Sequence, residues 1–220
     1  MTTSNPATDR RLFQPAVLDL GDALLRPWGR ALDLPGGTLA AVSAAAADQE
    51  VARWNPLRDA TDPAGAGAYL DRADERWADG DTACFAITDA ADGRLHGNVA
   101  LQWTDRAEGI AMVGYWLLAA ARGRGLATRA TTAVTRWGVR TAGVRRIELY
   151  HAVGNDPSCG VATRAGFPYE GTLRASYRSG DGPYRDEHLH ARLATDPEPD
   201  ADRPCAGSVI AGGPKAADGT

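Results

Sequence analysis

Just past the middle of this 220-residue chain lies Arg122-Gly123-Arg124-Gly125-Leu126-Ala127. An apolar run, GIAMVGYWLL, leads into it and a helical pattern, LATRATTAVTRWGVRTAG, leads away. The spacing puts two arginines and two glycines where a strand ends and a helix begins. A helix start offers about four unpaired N–H groups and roughly half a positive charge. Glycine lets the backbone bend toward a ligand, and arginine adds charge with two-pronged hydrogen bonds to phosphate. Together they predict a phosphate or pyrophosphate site. Two other readings stand beside it. One is a solvated turn before an amphipathic helix, in a chain whose wealth of arginine, alanine and glycine follows as readily from base composition as from selection. The other is an RNA-contacting loop, for which the interleaved aromatic platform is missing.

Among phosphate loops, GxxxxGK[ST] is absent, and GxGxxG fails because Thr128 stands where its third glycine belongs. The pattern [RQ]-x-x-G-x-[GA] fits. It sits in GYWLLAAARGRGLATRA, followed in order by RRIELYHAVGNDPSCGVATRAGF and EGTLRASYRSGDGPYRDEHLHARL. With these three stretches the chain resembles the GNAT N-acetyltransferases, and within them the RimJ/RimL-type branch of ribosomal-protein N-terminal acetyltransferase-like proteins. The resemblance covers roughly residues 20 to 195 and is strongest after Gly114.

The resemblance implies an α/β GNAT fold: a mostly antiparallel, splayed sheet flanked by helices. The strand matching 109–118 would carry a bulge and diverge from that matching 146–152, with acetyl-CoA in the resulting V. Backbone groups at Leu117 and Leu118 would pair with the pantetheine arm, and a backbone N–H near Leu118 would hold the thioester carbonyl. N–H groups of Arg122, Gly123, Arg124, Gly125, Leu126, Ala127 and Thr128 would hold the pyrophosphate, and Asn155 would contact the pantetheine. The implied acceptor is a primary amine, first a protein N-terminal α-amine, second a small amine such as an amino acid, polyamine or aminoglycoside. Homodimers are common among such proteins. A non-catalytic acyl-CoA-binding regulatory module is the reading from another class.

The implied reaction is direct attack of the amine on the thioester, which needs a proton acceptor, an oxyanion donor and a proton for the departing thiolate. Many GNAT proteins place an acidic tyrosine four residues before the glycine of the GF pair; here that position is Ala162. Ser158 is the remaining candidate, either donating near the sulfur or bonding locally in a helix's first turn. Cys159 reads as small packing. Glu108 and Asp105 precede the apolar strand and are candidate bases, as is His151, which otherwise reads as a core histidine. A water could serve instead. Trp54 and Tyr177 are expected at the acceptor groove. Tyr184 reads as core or dimer surface, and Arg185-Asp186 as an ion pair. His188 and His190 alternate on a strand, but a metal site needs a third ligand that no spacing supplies, so no metal is expected.

These residues need a scaffold. Strands are expected over 22–28, 84–87, 95–103, 109–118, 146–152, 167–174 and 184–193, and helices over 39–51, 64–78, 126–141 and 155–165. The strand 109–118 reads as buried on both faces, and Gly143 as a helix C-cap. Residues 1–20 read as a flexible arm, 21–195 as the acetyltransferase domain, and 196–220 as a disordered acidic, Gly- and Pro-rich tail. That tail carries five acidic and two basic residues of a chain with net charge -4, so the domain is nearly neutral and no nucleic-acid partner is expected. No run of about 18 apolar residues predicts a membrane span. Three scattered cysteines form no disulfide framework. MTTSNPATDRRLFQ lacks a signal-peptide core, so the expected location is cytoplasmic.

Overall fold

Thr82 to Thr88 are buried without a break because their side chains alternate between two cores on opposite faces of one sheet: Ala83, Phe85 and Ile87 enter one, Cys84 and Ala86 the other. The computed structural model describes residues 12–55, 57–178 and 182–199. Its strands are β1 (Leu18–Asp19), β2 (Ala23–Pro27), β3 (Thr82–Asp89), β4 (Leu95–Asp105), β5 (Ile110–Leu117), β6 (Arg146–Ala152), β7 (Tyr169–Arg178) and β8 (Tyr184–Leu193). They form one open sheet in the order β1-β2-β3-β4-β5-β6-β8-β7, antiparallel throughout except for the parallel pair β5–β6. Helices α1 (Thr38–Ala47), α2 (Gln49–Trp54) and α3 (Pro63–Asp79) build the core on one face; α4 (Leu126–Ala142) and α5 (Asp156–Arg164) cover the other. This is the mixed α/β, mostly antiparallel architecture expected.

The sheet and helices follow the periodicities, with two differences that matter for the site. The expected helix 39–51 breaks at Asp48, which is extended and caps α2 by accepting from the N–H groups of Glu50 and Val51. The apolar run of β5 is not buried on both faces: Gly114 is exposed and Tyr115 and Leu117 are half-buried, because β6 does not follow β5 to its end. Gly143 does cap α4, at φ 68°.

The expected domain limits also shift. Residues 1–11, 56, 179–181 and 200–220 lie outside the described residues, so most of both predicted tails does too. Residues 12–20 are not a loose arm: β1 joins the sheet, and Phe13 is fully buried, stacked on Trp103 at 4.8 Å. Tail residues 197 and 198 dock too, with Arg192 donating to Pro197 O and Arg136 gripping the Glu198 carboxylate. Phe13→Ala should destabilise the protein by about 3–5 kcal/mol, the ordinary result of emptying a buried ring site. Urea unfolding checks this, and an unchanged midpoint would return these residues to an arm.

Candidate active site

β5 and β6 pair only at Ile110–Arg146, Ala111–Ile147 and Met112–Glu148. Beyond those three residues β5 continues along β4 as far as Leu117, and β6 along β8 as far as Ala152. Neither strand ends; they part. Leu118 N–H donates to His96 O at 2.9 Å, on the β4 side. Alternate residues of an antiparallel strand turn their main-chain groups to opposite sides, so Val113, Tyr115 and Leu117 face the gap. The side chain of Asn55 reaches Tyr115 O there at 3.4 Å. Leu117 thus faces the gap, while the Leu118 N–H is committed to β4 and leaves both roles foreseen for it. The expected bulge also moves: the extra residue is on β4, between Trp103 and Asp105, and β5 itself is regular.

The open end of the gap meets the start of α4. Gly123 and Gly125 have φ of 75° and 70°, and a Cβ added to either would meet nothing within 4 Å. Gly125 is the N-cap and no side chain caps the helix, which leaves its first N–H groups facing that open space. Leu126 and Ala127 anchor the turn by burying their side chains. Thr128 Oγ1 is buried without a hydrogen-bond partner among the described residues. Arg124 is exposed, and its one ion pair among the described residues is a 3.8 Å contact with Asp22.

Arg122 departs from expectation. Its N–H donates to Ala119 O, its Nε to Leu117 O at 2.9 Å, and its Nη2 to Asp48 Oδ1 at 2.7 Å. Burial works against the Asp48 carboxylate, but Arg122 and the N–H groups of Val51 and Glu50 hold it below its ordinary value. Arg122 therefore ties the loop to the α1–α2 break instead of turning its donors outward.

Across the gap, the Tyr115 hydroxyl lies 2.8 Å from Ser158 Oγ on α5. Ser158 thus has a partner beyond its own helix turn. Asn155 is the N-cap of α5 and accepts from Ser158 N–H at 3.3 Å. Ala162, one turn on, is fully buried. Burial pushes the Tyr115 phenol up to about 12, although the Ser158 bond pulls the other way, so it keeps its proton at neutral pH. Tyr115 was hidden in an apolar run; the signal was a phenol that needs a polar partner when half-buried.

Of the residues expected at the acceptor groove, the Tyr177 hydroxyl donates to Trp54 O at 3.0 Å, joining residues 123 apart in sequence. The register of β7 shifts between Leu173 and Tyr177, around Ala175 at φ 51°, whose N–H is held by Asp186. Such a bulge re-aims the next side chain. Arg185 lies 6.0 Å over the Trp54 ring and does not pair with Asp186 among the described residues. Tyr184 is exposed, under Arg178, and is not core.

Glu108 is not brought to the gap. It lies in the β4–β5 turn, its N–H on Asp105 Oδ1 and its carbonyl on Arg145. It precedes Ile110, which five residues of strand rise put about 17 Å from Tyr115, at the end where β5 and β6 are paired. Asp105 shares that end. His151 is buried, its pKa lowered by burial, and its Nε2 faces His190 Nε2 at 3.2 Å; it points away from a role as base. His188 and Cys159 complete that cluster, joining the two strand histidines to partners that sequence spacing did not reveal.

Matches to known proteins bear on this arrangement. A family model described as "Acetyltransferase (GNAT) domain" matches residues 23–168. "Putative ribosomal N-acetyltransferase YdaF" of Bacillus subtilis is 32% identical over 83 residues, 38% of this chain, and the match spans just under half, 45%, of that relative's length. Ribosomal-protein-S5-alanine acetyltransferase from Vibrio fischeri superposes with TM-score 0.71 at 20% identity, over 84% of this chain and 100% of that one. Mycobacterium smegmatis RimJ, solved in complex with CoA-disulfide, gives 0.68 at 27% identity, over 78% and 82% of the two chains.

Proposed function

This chain belongs to the GNAT acetyltransferase family, and from that membership we propose that it transfers an acetyl group from acetyl-CoA to a primary amine, foremost a protein N-terminal α-amine. The observation that carries the reading is the parting of β5 and β6 after Met112 and Glu148, next to an α4 N-terminus that no side chain caps. The fit is physical. A slot lined by the main chain of Val113, Tyr115 and Leu117 suits the amides of pantetheine. N–H groups at Gly123, Arg124, Gly125, Leu126, Ala127 and Thr128, with the Thr128 hydroxyl, suit a pyrophosphate. Arg124 adds charge, Asn155 offers its amide to the arm, and Arg122 holds the loop in shape through Asp48.

Acetyl-CoA supplies an activated acyl carbon: the amine nitrogen bonds to it, the carbon–sulfur bond breaks, and the electron pair stays on sulfur. Tyr115, oriented by Ser158, holds the proton that this sulfur needs. With Glu108 and Asp105 at the paired end of β5, the amine proton leaves through water. Trp54 and Tyr177 close the acceptor side as an aromatic wall, and the ribosomal-protein acceptors named for the relatives favour a peptide over an aminoglycoside.

Thermal unfolding with and without acetyl-CoA tests this. At 100 times the dissociation constant, binding stabilises by about 2.7 kcal/mol, which for a domain of this size raises the midpoint by about 5–10 °C. ATP and NAD should give no shift. A folded protein unmoved by acetyl-CoA sinks the proposal. A shift without amine-stimulated thiol release in a screen of peptides, polyamines and aminoglycosides would favour the regulatory module.

A further inference from the structure

We propose that His151, Cys159, His188 and His190 form a zinc-binding site that fastens α5 to β6 and β8. One ligand atom from each side chain lies within 4.8 Å of the others. The strands bring this about. His151 stands opposite His188 in the β6–β8 pairing, and His190, two residues further along β8, shares the face of His188. Cys159 comes down from α5, one residue after the N-terminal turn that Asn155 caps.

The imidazoles are turned as metal ligands are turned. His151 Nδ1 is 3.1 Å from Ala152 O, and His190 Nδ1 is 3.1 Å from Phe167 O. A carbonyl oxygen only accepts, so each ring carries its proton on Nδ1 and presents a bare lone pair at Nε2. These two lone pairs face each other across 3.2 Å. Left to themselves they repel, and something positive between them removes the conflict. A shared proton would serve this pair alone, and would leave His188 Nδ1, buried without a hydrogen-bond partner among the described residues, unanswered. A cation held by all four side chains answers both. Backbone carbonyls fixing the outer nitrogen of ligating histidines are the usual support for such a site.

The donor set selects the ion. Three imidazoles and a thiolate offer no oxygen for calcium or magnesium, and suit zinc. Zinc bonds of about 2.0–2.1 Å to nitrogen and 2.3 Å to sulfur put tetrahedral ligand atoms roughly 3.3–3.6 Å apart. The two Nε2 atoms already stand close to that spacing, and the wider separations close by an ångström or so of side-chain rotation. Four protein ligands fill the tetrahedron, which marks a structural site and not an acid for acyl transfer. Its place explains what it would do: it pins the start of α5, where Asn155 and Ser158 sit, to the strands beneath.

The test uses the full chain, stripped by a chelator, and cobalt(II) as a spectroscopic stand-in for zinc. The expected result is saturation at one equivalent, with intense visible d–d bands of a tetrahedral site and a near-ultraviolet thiolate-to-cobalt band, all bleached by zinc. Cys159→Ser should lose the thiolate band, and His188→Ala should weaken zinc at least tenfold; circular dichroism of the stripped variants checks that they fold. Zinc should also raise the unfolding midpoint of the wild-type chain and not that of Cys159→Ser. No cobalt spectrum, a weak octahedral one, or a thiolate band that survives in Cys159→Ser would each overturn the proposal, the last by assigning the thiolate to Cys84 or Cys205.

Discussion

Gly125→Glu should abolish coenzyme A binding, by at least about a hundredfold, in a protein that still folds. Gly125 sits at φ 70° with nothing within 4 Å of an added Cβ. A side chain there meets no clash, only the left-handed strain of about 1–2 kcal/mol. A carboxylate at a helix start even gains a few tenths of a kcal/mol or more from the helix dipole. That gain is the difficulty for the ligand: the glutamate fills the space before α4 and takes the N–H groups that the pyrophosphate would use. Gly125→Ala carries the same backbone strain without the charge, and should retain most of its affinity. Calorimetric titration with coenzyme A reads both variants. Undiminished affinity in Gly125→Glu would remove the pyrophosphate from this loop.

Tyr115→Phe should lower turnover by about 10²–10⁴-fold, the range for losing a positioned proton donor, while the dissociation constant of acetyl-CoA moves only a few-fold. The ring still packs and only the 2.8 Å bond to Ser158 Oγ is lost, at about 1 kcal/mol of stability. Ser158→Ala should slow turnover too. The double variant should be less than additive, because the hydroxyls act as one unit. Steady-state kinetics on the three proteins decides it. If Tyr115→Phe turns over at the wild-type rate, the pair only fastens α5 to β5.

Much of this scaffold was legible in the chain itself. Leu126–Ala142 is helical because buried positions recur on one face, including Leu126, Ala130 and Val134, and it stops at Gly143 because glycine readily adopts the left-handed conformation there. The glycines of Arg122–Ala127 announced a strand–turn–helix junction, and the junction is there. The stretch 39–51 reads as one helix because helix formers stand on both sides of Asp48, alanines before it and Gln49 and Glu50 after it, and nothing local says that this carboxylate serves a cap and a distant arginine at once. Residues 12–20 read as an arm because the stretch mixes polar and apolar residues without a period; the partners that bury Phe13, Trp103 and Trp137, lie far along the chain.

The chemical groups divide the same way. Sequence alone determined which residue types stand at the loop and at NDPS, since backbone conformation, capping and helical period act over a few residues. It could not determine that β5 and β6 part after three paired residues, that Tyr115 meets Ser158, that Glu108 stays at the paired end, or that three histidines and a cysteine converge. Those outcomes depend on strand order and register, where one residue of slip turns every side chain to the other face. Only the packed sheet, with both faces covered, fixes that register.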